Sequence, residues 1–204
     1  MRPSSLQPTE RSSRASWPRG SARDRLLDAA LARFASDGPA AVSLEDIRVE
    51  AGVSVGALYH HFADKAALLD GLYLELTEQF QGGFLAELRS HPTAEEGVTA
   101  GVRFYLRWVG NHRDGARVLL GYGPDGPALQ DRNRRFIFDV MAWWQTHVQY
   151  GALRPLPFDL IHALWLGAAH EYTRHWLTGR AKRTPAAVAD VLAQAAWNAL
   201  KEPL

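Results

Sequence analysis

A group of residues between positions 43 and 65 has the side chains that contact with duplex DNA requires. Some are small enough to let a backbone come close, and others can hydrogen-bond to phosphates or base edges. The candidates are Ser43, Arg48, Ser54, Val55, Gly56, Ala57, Tyr59, His60 and Lys65. Val55 and Ala57 could meet thymine methyl groups, Tyr59 and His60 could reach phosphates or base edges, and Lys65 could bind a phosphate. Their chemistry predicts recognition of DNA.

The first of two helices that must position these residues is expected to begin after Ser43. Ser43 can act as the N-cap, and Asp46 stands at the reciprocal position of a capping box. Ile47 and Ala51 are four residues apart and therefore share one face. Gly52 then ends the helix.

The second helix is expected to begin after Ser54, with Val53 filling the corner between the two. Leu58 and Phe62, again four apart, can pin this helix to the first one. The small and polar candidates then remain on its outer face. This is the arrangement of a helix-turn-helix, in which the N-terminal part of the second helix enters the major groove.

At these positions the chain resembles the TetR family of bacterial repressors. The family pattern is of the type T/S-x-x-x-I-A-x-x-A-G-V-S-x-G-x-L-Y-x-H-F-x-x-K, and its matches here are Ser43, Ile47, Ala51, Gly52, Val53, Ser54, Gly56, Leu58, Tyr59, His61, Phe62 and Lys65. Arg48 stands where the family usually has a small residue, so it could tilt the helix or add a phosphate contact. Val55 stands where a polar or basic residue is common, which reduces polar base readout. The resemblance implies a bacterial homodimer that binds operator DNA and a small effector.

The composition is that of an ordinary globular protein of 204 residues, 47% of them hydrophobic. The absence of cysteine excludes disulfides and thiolate metal sites, which fits a cytoplasmic protein. No apolar run reaches membrane-spanning length, and the N-terminus lacks the apolar segment of a secretory signal. We therefore expect a cytoplasmic protein without a membrane partner.

The net charge is only +1, so a DNA-binding surface requires that the positive charges are concentrated in one region of the chain. The excess lies in residues 1–20, where several arginines accompany a single acidic residue, Glu10. The arginines are Arg2, Arg11, Arg14 and Arg19. We expect a disordered basic arm, which either follows the DNA backbone or minor groove or is a solvated tail.

Apolar residues repeat at three and four along the chain, which predicts an all-α fold of about nine helices. A three-helix DNA-binding domain is expected at residues 21–66, and a ligand-binding and dimerisation domain at 67–204. A fourth helix, from 64 to about 88, would connect them. Gly82 and Gly83 are expected to interrupt it, either as a bend that repositions the head or as a local break. Helix seven, from about 128 to 150, is apolar on two sides and is expected to be central.

An aromatic collection in the second domain predicts where an effector binds. Its members are Phe104, Tyr105, Trp108, Phe136, Trp143 and His147. The TetR resemblance implies a cavity among these helices, and seven tryptophans favour a flat, apolar or aromatic ligand. The alternative is that the aromatic stripe is plain core.

The last two helices are expected to dimerise, because the eighth has two apolar stripes that cannot both face inward. The candidate interface residues are Leu164, Trp165, Ala168, Tyr172, Trp176, Leu192 and Ala195. The TetR resemblance points the same way. The alternative is a monomer that exposes one stripe.

Catalytic and metal-binding patterns are missing from the sequence. There is no Gly-rich phosphate loop, no GxSxG and no HExxH, and no two of the eight histidines stand three or four residues apart. We therefore expect no enzyme, no cofactor and no metal. The favoured function is a repressor released from a palindromic operator by its effector. An activator or a regulator without a small effector stays open, as does, less favoured, a helical enzyme or carrier.

Overall fold

The computed structural model of the chain describes residues 20–123 and 126–203. Residues 1–19, nearly all of the expected basic arm, lie outside this part. Within the described residues the fold is all-α, as the sequence predicts. Nine helices occur there in the order α1 Ala22–Ser36, α2 Leu44–Ala51, α3 Val55–His61, α4 Lys65–Arg89, α5 Ala94–Asn111, α6 Arg113–Gly121, α7 Pro127–Gln149, α8 Phe158–Leu177 and α9 Pro185–Leu200.

Most helices begin at a residue whose side chain satisfies free backbone N–H groups. Ser21 and Asp24 form a capping box at the start of α1, and Asp64 accepts from the Ala67 N–H at the start of α4. Thr93 accepts from the Glu96 N–H at the start of α5. Such caps act within a few residues of the chain, so local chemistry sets each of these boundaries.

The side chains pack into two hydrophobic clusters. The head cluster joins α1, α2 and α3 with Leu68, Leu72 and Leu76 of α4 and Val118 of α6. The body cluster contains Phe84 at the other end of α4 together with side chains of α5 to α9. Because α4 is buried in both clusters, it connects the packing of the body with that of the head.

The glycine pair of α4 does not interrupt the helix, which is continuous over Lys65–Arg89. The expected interruption is therefore wrong, and Gly83 has a packing role. A Cβ atom there would lie 2.5 Å from Cζ of Phe104. The missing side chain lets the ring of α5 lie against α4, whereas Gly82 faces open space.

The central helix is α5. The two apolar stripes of α7 predicted α7 instead, and that prediction is wrong. Eleven residues of α5 are buried, whereas α7 buries only Leu129, Val140 and Trp144. Phe138 of α7 is 73% exposed. Gly97 and Gly101 explain the central place of α5, because side chains at these positions would overlap Trp143 and Trp165. The remaining apolar residues of α7 lie at the edge of the body.

Candidate DNA-binding face and ligand cavity

The helix-turn-helix begins with a closed capping box at Ser43. Its hydroxyl accepts from the Asp46 N–H at 3.1 Å, and the Asp46 carboxylate accepts from the Ser43 N–H at 3.2 Å. The Ser43 hydroxyl also donates to the Asp46 carboxylate at 2.6 Å, and this bond, together with the one from the Ser43 N–H, lowers the pKa of Asp46, so the box keeps its charge near neutral pH. Gly52 ends α2 with φ 62 and ψ 39, a left-handed conformation that glycine adopts without a Cβ clash. The corner between α2 and α3 is thus defined by local chemistry.

The second helix of the motif, α3, is held from its inner side. Ser54 caps it by accepting from the Ala57 N–H at 3.2 Å. Val53, Leu58 and Phe62 are 3%, 2% and 5% exposed and belong to the head cluster. Burial of these side chains fixes which face of α3 is directed outward.

The outward face of α3 carries Val55, Gly56, Tyr59 and His60. Val55 is 54% exposed and Tyr59 is 58% exposed, and His60 is also exposed. No atom lies within 4 Å of where a Cβ on Gly56 would stand, so the helix backbone itself is open there. Gly56 allows the helix backbone to come close to the bases, and the phenol of Tyr59 and the imidazole of His60 can form hydrogen bonds. The face therefore suits a DNA groove.

Arg48 is occupied inside the head and is not a free cation. Its guanidinium binds both oxygens of Glu45, at 2.8 and 2.6 Å, and donates to the Val53 carbonyl at 2.7 Å. The hydrogen bonds to Glu45 raise the pKa of Arg48. The guanidinium thus braces the corner between α2 and α3, and the predicted phosphate contact stays a prediction.

Lys65 is likewise engaged by the protein. Its ammonium donates to the carbonyls of Pro39 and Val42, at 2.8 and 2.9 Å. These bonds tie the start of α4 to the loop between α1 and α2. The structure thus gives Lys65 a tethering role, and the phosphate contact stays a prediction. Ala57, also a candidate, is half-buried and packs against the head cluster.

A cavity of about 280 Å³ lies between α4, α5, α6, α7 and α8. Its apolar wall consists of Phe80, Trp108, Val109, Ala116, Leu119 and Leu120. Its polar lining residues are Tyr73, Thr77, Tyr105, Asn133, His162 and His170. Because α4 and α6 also contribute to the head cluster, the cavity borders the helices that connect body and head.

Of the predicted ligand-contacting residues, the structure places Tyr105 and Trp108 at this cavity. Phe104 and Phe136 pack around Phe84 in the body instead. Phe136 also lines a separate open cleft between α4 and α7. For the last two candidates, the Trp143 ring stacks on Trp165 and contacts His147.

Several cavity residues were not predicted, above all Asn133, His162 and His170. The centroids of the two histidine rings are 5.1 Å apart, and the centroid of the His170 ring lies 4.7 Å from that of Tyr105. Their eight-residue spacing is no signal for this contact, because it corresponds to a rise of about 12 Å along the helix, whereas side chains three or four residues apart are neighbours. Asn133 gives no signal either, because it is one amide on a mostly polar stretch of α7.

The titratable groups of the cavity are uncharged at neutral pH. Burial raises the pKa of Tyr105 to about 12. Burial, together with the neighbouring His162 and Arg174, lowers the pKa of His170 to about 4. The Tyr105 and Thr173 hydroxyls are buried without a hydrogen-bond partner of good geometry among the described residues. No group of acidic residues and histidines there could hold a metal ion.

The predicted dimer-interface residues divide between surface and core. Leu164, Ala168 and Ala195 are exposed, and Tyr172, Trp176 and Leu192 are half-buried. Trp165 is only 4% exposed, and its indole donates to the Val98 carbonyl at 2.9 Å. It belongs to the core of its own subunit, which corrects its assignment to the interface.

None of the helices in the described part of the chain has the length and apolar character needed to cross a membrane.

Comparison with known proteins extends these findings. The model for "Bacterial regulatory proteins, tetR family" matches residues 26–72, which include the whole helix-turn-helix. The HTH-type transcriptional repressor KstR2 of Mycobacterium tuberculosis is 46% identical over 164 residues, covering 70% of this chain and 74% of that protein. The HTH-type transcriptional regulator BetI of Escherichia coli is 32% identical over 179 residues, covering 76% of this chain and 92% of BetI.

The fold also matches solved structures. A TetR family transcription regulator from Marinobacter aquaeolei superimposes with a TM-score of 0.77 and 21% identity, covering 89% of this chain and 96% of that one. The likeness extends through the body as well as the head.

Proposed function

The chain belongs to the TetR family of DNA-binding transcription regulators, which are not enzymes, and from this premise we propose a ligand-released repressor. In this proposal a homodimer binds a palindromic operator in the bacterial cytoplasm, and a small apolar or aromatic effector releases it. The relative KstR2 is named a repressor, which supports this direction of control. The observation that carries the proposal is the exposed, backbone-open face of α3.

In the proposed complex Val55, Gly56, Tyr59 and His60 meet the DNA directly. Gly56 lets α3 approach the groove floor, and Val55 can contact a thymine methyl group. Tyr59 and His60 supply hydrogen bonds to phosphates or base edges. The remaining candidates position this face, by capping at Ser43 and Ser54, packing at Ala57 and tethering at Arg48 and Lys65.

The proposed dimer uses the outer faces of α8 and α9. Leu164 and Val191 are 40% and 73% exposed on neighbouring helices, and Ala168 and Ala195 lie exposed on the same pair. Pairing with a second copy would bury them in a four-helix arrangement. The two recognition helices would then meet successive major grooves about 34–36 Å apart.

The proposed division of labour assigns DNA binding to residues 21–66 and ligand binding and dimerisation to residues 67–204. Packing crosses this boundary, since Leu68, Leu72 and Leu76 complete the head cluster. A ligand in the cavity would contact α4 and α6 directly. It could therefore favour a dimer whose heads no longer match the groove spacing.

The experiment that tests this function is a DNA-binding titration of the full chain. A labelled duplex from upstream of its own coding sequence and a scrambled duplex are compared by fluorescence anisotropy at several salt concentrations. We expect a salt-sensitive preference for the upstream duplex. Equal affinity for the two duplexes would contradict the proposal.

A matched tyrosine pair assigns the binding to α3. Tyr59→Ala should weaken binding by about 1–2 kcal/mol, roughly five- to thirtyfold, because it removes a hydrogen bond to the DNA. Tyr150→Ala is the control, since Tyr150 is 82% exposed after α7 in the body. Equal losses for the two variants would show that α3 is not the contact.

A further inference from the structure

The cavity between α4 and α8 lacks ionised side chains. Its polar lining residues are amide, hydroxyl, phenol and imidazole groups, and no Lys, Arg, Asp or Glu lines it. The lowered pKa of His170 and raised pKa of Tyr105 keep these two groups neutral. Arg174 acts electrostatically on Tyr105 and His170, but it lies outside the lining and is paired with Glu171. A charged ligand group placed here would therefore lose its hydration without gaining a counter-ion in the lining, which is costly. The lining therefore selects against ions.

The size and shape of the cavity limit the ligand further. An apolar cavity of about 150 Å³ accommodates one benzene ring. The volume of about 280 Å³ therefore has room for about two such rings. The rings of Phe80, Trp108 and Tyr105 form part of the wall, and Phe80 meets Trp108 edge to face at 5.4 Å. Aromatic walls of this kind favour a flat ring system.

Asn133 supplies an oriented donor. Gln81 of α4 is 7% exposed, and its Nε2 donates to Oδ1 of Asn133 at 2.8 Å. This bond uses the carbonyl end of the Asn133 amide, so its NH₂ group is left to donate. No hydrogen bond from that NH₂ group occurs among the described residues. An acceptor on a ligand is the group that it can bind.

We propose that the cavity binds an uncharged, flat compound of about two fused rings that carries a hydrogen-bond acceptor, and that Asn133 binds this acceptor. This inference rests on the proposed function only where it identifies the compound as the effector. The binding of such a compound is a separate property of the cavity. It also links the ligand to α4 through Gln81.

The test uses coumarin, naphthalene and naphthoate as probes of equal ring count. Coumarin carries a lactone carbonyl, naphthalene has no acceptor, and naphthoate carries a negative charge. Isothermal titration calorimetry of the full chain at neutral pH measures each affinity, with Asn133→Leu beside the unsubstituted protein. We expect coumarin to lose between about twofold and tenfold in affinity on substitution, while naphthalene binds equally well or better. Naphthoate should bind at least about tenfold more weakly than coumarin.

Two further variants separate recognition from loss of folding. Tyr73 lines the same cavity, but its hydroxyl already donates to the Leu119 carbonyl at 3.1 Å. Tyr73→Phe should therefore keep the coumarin affinity of the unsubstituted protein. Asn133→Leu leaves Gln81 without its partner, so the double variant with Gln81→Leu removes both groups together. It should melt close to the unsubstituted protein and still show the selective loss of coumarin.

Three results would overturn the inference. They are equal losses of coumarin and naphthalene on Asn133→Leu in a folded protein, binding of naphthoate as tight as that of coumarin, and no binding of any probe. Release from DNA is measured separately by anisotropy. Selective coumarin binding without release would contradict the proposed function alone, whereas ligand release that is indifferent to Asn133 would contradict this inference alone.

Discussion

Lys65→Met separates two roles for a lysine next to the recognition helix. The ammonium donates to Pro39 and Val42 carbonyls at 2.8 and 2.9 Å, and methionine keeps most of the apolar stem but makes neither bond. Charge-assisted hydrogen bonds contribute about 1.5–3 kcal/mol each. The lower value applies because Lys65 is only half-buried, so the expected loss is about 3 kcal/mol. For a chain of this size that corresponds to roughly 6–12 °C in melting temperature.

The assay pairs thermal unfolding with the salt dependence of DNA binding. A lysine that tethers the head changes stability, and at low temperature it leaves the slope of log affinity against log salt unchanged. A lysine that neutralises a phosphate would lower this slope by about 1.8 for a dimer, since each of the two subunits loses one contact, and would leave stability nearly unchanged. Lys182→Met is the control, since Lys182 is exposed between α8 and α9, and it should change stability by no more than about 0.5 kcal/mol. A reduced salt slope with an unchanged melting temperature would refute the tethering role.

Three further predictions concern the body. Gly83→Ala should destabilise the protein by about 1–3 kcal/mol, because its Cβ would lie 2.5 Å from an aromatic ring of α5. Gly82→Ala should instead stabilise it by about 0.5–1 kcal/mol, because a Cβ there meets open space. Equal changes in melting temperature for the two variants would contradict the packing of Gly83 against Phe104. Leu164→Asp should raise the dimer dissociation constant at least about tenfold, since a charge would be buried at the interface; sedimentation velocity showing an unaffected dimer would exclude this surface. His170 has a folded-state pKa of about 4, below its ordinary 6.5, so the unfolded chain binds a proton first and stability falls as pH drops from 6.5 towards 4. His170→Phe should lessen this fall in chemical denaturation, and an unchanged pH profile would argue against a buried neutral imidazole.

The head was largely predictable because its chemistry is local. Ser43 and Asp46 cap within three residues of each other, and Gly52 ends α2 by its own backbone freedom. The tethering of Lys65 was not predictable, because its partner Pro39 lies twenty-six residues earlier and the contact exists only after α1 and α4 pack.

The body was predicted in its helices and less well in its packing. A glycine pair suggested a break, whereas Gly83 meets a ring that lies on another helix. Two apolar stripes suggested a central α7, but the sequence does not tell a stripe that faces the core from one at the edge. In the cavity, periodicity found Tyr105 and Trp108 as members of an aromatic group. It could not find Asn133, whose place depends on how α7 meets α4.

Selection of binding sequences from a random duplex pool tests the central claim, that the exposed face of α3 reads operator DNA. The unsubstituted protein and Val55→Gln are compared, because Val55 lies on the exposed face and a longer polar side chain should alter base preference. We expect both to select palindromes with half-sites about one helical turn apart, with different bases at one position of each half-site. Failure to enrich a palindrome, or identical base preferences for the two proteins, would contradict the account.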